Sequence, residues 1–91
     1  MYKYYELYNS FDDFFSSILH GNEIEFVYNE KQFYILPYRD SSDKIIGACF
    51  GEKYKDNDKI CFSSKELYNV CIGNITLNTI LSEIEISWYN F

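Results

Sequence analysis

The chain contains one alanine, one arginine, one proline, one histidine and four glycines in 91 residues. Neither the phosphate-cradling pattern G-x-x-x-x-G-K nor the dinucleotide-binding pattern G-x-G-x-x-G occurs, and Gly47-Ala48-Cys49-Phe50-Gly51 is too apolar and strand-like to hold phosphate. The lone histidine, His20, precedes Gly21 at the end of a predicted helix, where capping that end explains it better than pairing with a thiol. Three cysteines, Cys49, Cys61 and Cys71, are an odd number without a C-x-x-C pair, which fits reduced thiols rather than a disulfide frame or a zinc site. No apolar run approaches the roughly 18 residues of a membrane span, and Met1-Tyr2-Lys3-Tyr4-Tyr5-Glu6 lacks the apolar core of a signal peptide, so a cytoplasmic protein is expected. Positive charge is also scarce. Eight Lys and Arg against fourteen Asp and Glu leave a net charge of −6, which argues against direct nucleic-acid binding and favours a partner with a basic surface.

What the chain has in quantity is apolar and aromatic surface. Hydrophobic residues make up 47% and aromatics 21%, enough for one folded domain over residues 1–91 and too much for disorder. Phe, Tyr, Met, Ile, Asn and Lys fill 45 of the 91 positions, a bias expected from AT-rich codons and hence from a low-GC bacterium or its phage.

Hydrophobic spacing predicts an α+β fold. Tyr2 to Tyr8 reads as a short strand or a docked arm. Ser10 with Asp13 three residues on opens a helix from about Phe11 to Leu19, with Phe11, Phe14, Phe15 and Ile18 on one stripe. Glu23 to Tyr28 alternates as a half-buried strand, and Phe33 to Leu36 is its hairpin partner, ended by Pro37. Ile45 to Phe50 and Lys59 to Phe62 form a second hairpin in series. Ser63 with Glu66 opens a helix from about Ser64 to Val70, and Thr76 caps a short one holding Leu77, Ile80 and Leu81. Ile84, Ile86 and Trp88 alternate with Glu85 and Ser87 in a last strand. The expected architecture is an antiparallel meander of about four to five strands with two to three short helices on one face.

Charge is uneven along the chain: residues 1–30 carry net −5, residues 31–65 net +2 and residues 66–91 net −3. If the last strand lies near the first hairpin strand, Glu23, Glu25, Glu83 and Glu85 share a face at a spacing of roughly 6.6–6.8 Å along each strand, suited to a groove of Lys and Arg that normally tracks a nucleic-acid backbone. An ordinary solubilising face is the alternative. Asp12 and Asp13 add negative charge at a helix start, and Tyr2 and Tyr4 belong to a set of ten tyrosines whose apolar body and polar tip suit interfaces. Asp56-Asn57-Asp58 lacks the further oxygen ligands of a calcium loop and reads as a turn, and the strand carboxylates have nothing to desolvate them for glycoside chemistry. No catalytic set, metal site or cofactor is expected.

Glu23-Ile24-Glu25-Phe26-Val27-Tyr28-Asn29, the run from Lys31 to Ile35, Ser64 to Leu67, and Ile72-Gly73 with Leu77 and Ile80 together resemble a group of short uncharacterised proteins of low-GC Gram-positive bacteria and their mobile elements. The resemblance covers about residues 7 to 87, with Asn74 beside Gly73 shifting the usual glycine spacing, and it implies a shared fold rather than catalytic residues. Small acidic phage proteins of this kind include anti-CRISPR inhibitors. The resulting expectation is a non-enzymatic inhibitor, a mimic of DNA, that occupies the basic nucleic-acid-binding surface of a host defence nuclease such as a CRISPR effector in the bacterial cytoplasm. It would act through Glu23, Glu25, Glu83, Glu85, Asp12, Asp13, Tyr2 and Tyr4, as a monomer or homodimer. An immunity protein or antitoxin, and a small-molecule binder with an aromatic pocket lined by Tyr or Trp88, are the alternatives.

Overall fold

The structure, a computed structural model, describes residues 1–90. In chain order the elements are β1 (Tyr2–Lys3), α1 (Tyr4–Leu7), α2 (Phe11–Leu19), β2 (Glu23–Tyr28), β3 (Lys31–Arg39), β4 (Ile45–Glu52), β5 (Lys59–Cys61), α3 (Ser64–Tyr68), β6 (Cys71–Ile72), β7 (Ile75–Thr76), α4 (Leu77–Ile80) and β8 (Glu85–Asn90). Six strands make one antiparallel sheet in the order β1-β8-β2-β3-β4-β5, and β6 and β7 pair separately. The fold is α+β with four short helices. The expected meander is present as β2 to β5, and the count exceeds four to five because the N-terminal arm contributes β1 to the edge of β8.

Local chemistry accounts for the helix starts. The Asp13 amide donates to Ser10 Oγ at 3.0 Å, and the Glu66 amide donates to Ser63 Oγ at 3.1 Å, so each serine satisfies an amide that its helix cannot. Gly21 follows α2 with φ of 102°, the positive value a helix-ending glycine adopts without strain. Along α2, Phe14, Phe15 and Ile18 are buried and turn toward β3 and β4.

The core forms on one face of the sheet only. Phe26, Phe33 and Phe50 from β2, β3 and β4 form a triangular cluster with ring centroids 5.3, 5.9 and 6.1 Å apart, all fully buried. Ile24, Ile35, Ala48 and Ile86 continue that face, and Phe14, Ile18, Leu67, Leu77 and Ile80 close over it from the helices. Each fully buried Phe or Ile contributes about 1.5–3 kcal/mol relative to exposure, so this face fixes the register of every strand that shares it.

Two expectations about strands are corrected. Pro37 does not end β3, which runs on to Arg39. The pairing of β3 with β2 reaches only Ile24 opposite Ile35, so Pro37 lies where β4 alone flanks the strand and a missing amide costs nothing on the β2 side. Trp88 does not share a face with Ile84 and Ile86. A bulge sets Glu25 opposite Trp88 but Phe26 opposite Ile86, leaving Ser87 as the extra residue, whose hydroxyl donates to the Glu25 carbonyl at 3.3 Å. Beyond the bulge the alternation is inverted: Tyr89 packs against the core and Trp88 turns outward, 45% exposed.

The β2–β3 turn is made by Asn29 and Glu30, at φ of 52° and 66°, between the paired residues Tyr28 and Lys31. A two-residue turn with both central φ values positive is the type I′ geometry, which favours Asn-Gly, and Glu30 carries a side chain where glycine is unstrained. Replacement Glu30→Gly is expected to stabilise the fold by roughly 0.5–1 kcal/mol, read as a higher midpoint in urea with an unchanged slope.

Candidate functional site

Alternation that sends Phe26, Phe33 and Phe50 inward sends their neighbours outward, and on that second face the strands carry their exposed chemistry. Trp88, Glu25, Tyr34 and Gly51 lie in one cross-strand row, and Leu36, Cys49 and Ile60 in the next. Tyr38 pairs with Gly47 in a third row, where the Phe62 ring stands 6.1 Å from that of Tyr38. Ile60 is 41% exposed and Phe62 56%. Both glycines have a reason to be glycine. A Cβ on Gly51 would sit 2.4 Å from the Tyr34 hydroxyl, and one on Gly47 would sit 2.5 Å from the Cys61 carbonyl oxygen. Tyr34 therefore lies down across Gly51, beside the Asp58 carboxylate that accepts from Cys49 Sγ.

The carboxylates border this surface. Glu23 and Glu25 project from β2, and Glu85 from β8 opposite Val27. Glu25 is paired with Lys53 Nζ, the hydrogen bond raising the pKa of the lysine, and Glu85 lies 3.5 Å from Lys3 Nζ. Pairing within the chain thus moderates the acidic row that alternation alone implies.

The other residues expected in the site stand elsewhere. Glu83 belongs to the turn after α4, its amide donating to the Ile80 carbonyl at 2.8 Å, and is not on β8 because that strand begins at Glu85. Asp12 and Asp13 lie on the helical layer at the start of α2, where Asp12 accepts a 2.6 Å hydrogen bond from Ser64 Oγ. Tyr2 is half-exposed at the sheet edge with its ring 5.4 Å from Tyr89. Tyr4 is not a surface residue: it is 2% exposed and packed among Tyr8, Phe11 and Phe14, because α1 turns it under the arm. The signal missed in the sequence was the β8 bulge, without which Trp88 is read as core.

Candidate catalytic groups are tied up structurally. Burial first, then the hydrogen bond to Asp58 Oδ2 at 3.1 Å, pushes the Cys49 thiol up to about 12, and burial pushes Cys61 up to about 11. Neither is a ready thiolate at neutral pH. His20 Nδ1 lies 2.7 Å from the Ser16 carbonyl of its own helix. Among the described residues no group of three or more His, Cys, Asp or Glu could hold a metal ion. An open notch of about 430 Å³ between α2 and α3 is lined by Ser10, Phe11, Asp12, Ser64, Lys65 and Tyr68, with Trp88 outside it. Among the described residues no helix is long and apolar enough to cross a membrane. No family model matches the chain, and the searches of curated proteins and of solved structures return no match.

Two measurements follow from these environments. In the folded protein, a thiol reagent at neutral pH is expected to modify exposed Cys71 first, with Cys49 and Cys61 reacting only after denaturant is added; mass spectrometry of the labelled peptides reads the order. The buried Tyr4 hydroxyl has no hydrogen-bond partner among the described residues, and burial raises its pKa above the ordinary 10.0. The hydroxyl therefore adds no pH dependence below about pH 10, and above that value stability falls because the unfolded chain releases the proton first. Tyr4→Phe is expected to stabilise the fold by about 1 kcal/mol at pH 7 and to flatten part of the alkaline loss, measured by urea unfolding across pH.

Proposed function

We propose that the protein is a non-enzymatic binding protein that inhibits its partner by covering a basic surface, the partner being a defence nuclease whose nucleic-acid-binding groove presents Lys and Arg. The observation that carries this reading is the face bearing Glu23, Glu25 and Glu85 beside the half-exposed Trp88, on the side of the sheet away from the core. Tryptophan supplies area that anchors an interface, and carboxylates around it select a basic partner and speed the encounter. The net charge of −6 acts in the same direction. A phage or mobile-element origin, the cytoplasm as place of action and a CRISPR effector as the nuclease are the specific forms of this proposal, supported by codon bias and charge.

Tagged protein incubated with bacterial lysate at low and at raised salt tests it, followed by a competition assay between the chain and DNA for whatever nuclease is retained. The expected outcome is a basic nuclease held at low salt, released at high salt and displaced from DNA by the chain. The triple variant Glu23→Gln, Glu25→Gln, Glu85→Gln is expected to associate at least tenfold more slowly at low salt, with the gap closing as salt rises. Equal association rates for the variant and the parent chain would refute the electrostatic role of this face.

A further inference from the structure

We infer that the notch between α2 and α3 is a binding site for a small zwitterion with an aromatic or apolar side group, the chemical class being a free amino acid. The notch belongs to the helical layer, on the other side of the sheet from Glu23, Glu25 and Glu85, so a ligand there and a protein partner on the outer face do not compete for the same surface. Its volume of about 430 Å³ is toward the lower end of the roughly 300–1,000 Å³ of small-molecule pockets, and with one side open it suits a compact ligand.

The apolar wall is held from behind. Phe11 and Tyr68 meet edge to face between α2 and α3 with ring centroids 5.1 Å apart, and Phe11 is backed by Phe14 at 5.4 Å and by the buried Tyr4 at 6.4 Å. Tyr68 remains 42% exposed, so part of this wall is presented to the notch and not consumed by the core. A further ring packs on such a pair with a preference for offset or edge contact.

Two opposite charges line the same notch without meeting. Asp12 Oδ1 accepts a hydrogen bond from Ser64 Oγ at 2.6 Å, which ties the first turn of α2 to α3 and orients the carboxylate, while Oδ2 has no hydrogen-bond partner among the described residues. Lys65, the next residue after Ser64, makes no ion pair among the described residues. Ser10 Oγ already caps the Asp13 amide and the Ser64 hydroxyl proton is given to Asp12, which leaves the two charges as the strongest polar groups offered to a ligand. A simple anion drawn by Lys65 meets the Asp12 carboxylate, and a simple cation drawn by Asp12 meets the Lys65 ammonium. A molecule with an ammonium and a carboxylate on neighbouring atoms complements both, and its side group is left for Phe11 and Tyr68.

Amide NMR of the full chain, titrated to about 10 mM with free L-phenylalanine, 2-phenylethylamine or 3-phenylpropanoate, tests the site. Free phenylalanine is expected to shift the amides of Asp12, Ser64, Lys65 and Tyr68, to approach saturation in the millimolar range, and to bind about tenfold tighter than either compound lacking one charge. In Asp12→Asn the advantage over 3-phenylpropanoate is lost, and in Lys65→Gln the advantage over 2-phenylethylamine; both residues are exposed, and amide dispersion reports the fold of each variant. No shift at these four amides by the end of the titration overturns the inference. So do equal affinities for the three compounds, shifts centred away from the notch, or folded variants that keep the full preference. Capture of a basic protein by the outer face is read in a separate assay, so failure there leaves the notch untouched and the reverse holds as well.

Discussion

The buried triangle of Phe26, Phe33 and Phe50 is the constraint on which the remaining structure depends. Three aromatic rings on three adjacent strands need a cover, and every helix that can supply one lends its apolar residues to that side. A chain of 91 residues has material for a single helical layer, and the opposite face is left to solvent with whatever side chains alternation places there. The exposed chemistry is thus a consequence of how the core is closed. Glycines at 47 and 51 belong to the same economy of space: they let Tyr34 and Phe62 lie against the strand, so the outer face is low in its middle and carries its bulk at the ends.

The bulge at Ser87 divides the two faces at the last strand. Without it Trp88 would follow Ile86 into a core already filled by close-packed rings, where an indole costs strain and its N–H needs a partner. One inserted residue exchanges Trp88 for Tyr89 on the inner side and gives the outer face its largest side chain. The bulge also bends β8 where β1 stops pairing with it, and a bend at a partly unpaired edge discourages uncontrolled strand addition.

Much of this was legible in the sequence because local rules and tertiary demand agree. Ser10 with Asp13, and the stripe Phe14, Phe15 and Ile18, define α2 from Phe11 to Leu19 since cap, charge and periodicity all point one way. Glu23 to Tyr28 is equally plain, its alternation matching a strand with one wet side. Pro37 misled because its cost depends on which neighbours flank it, a property of the whole sheet. Trp88 misled because a bulge is set by packing and leaves no period of its own. Tyr4 misled for a third reason: four tyrosines in the first eight residues carry no usable period, and only the docking of α1 on α2 separates the buried Tyr4 from the exposed Tyr5. Of the acidic set, Glu23, Glu25 and Glu85 stand together because β8 pairs with β2, a long-range choice that sequence spacing leaves open. Glu83 was misplaced by two residues of strand boundary, which was enough to move it off the face.

The strand order also converts a charge asymmetry along the chain into one across the width of the sheet. Residues 31–65 carry the excess of bases and form β3, β4 and β5 without interruption, whereas the acidic segments at either end of the chain meet as β1, β8 and β2. Had β8 added beside β5 instead, negative charge would flank the basic strands on both sides and the sheet would have no charge asymmetry across its width. The one long-range pairing, β2 with β8, therefore does three things together: it completes the core with Ile86, it brings Glu85 to Glu23 and Glu25, and it separates Trp88 from Ile60 by most of the width of the sheet. Apolar groups toward two ends of the outer face, with Glu23, Glu25 and Glu85 beside only one of them, favour an occupant that reads the face in one orientation. A surface of that kind gains selectivity from its layout, since a basic groove lacking an apolar site for Trp88, or an apolar patch lacking a basic border, meets only half of it.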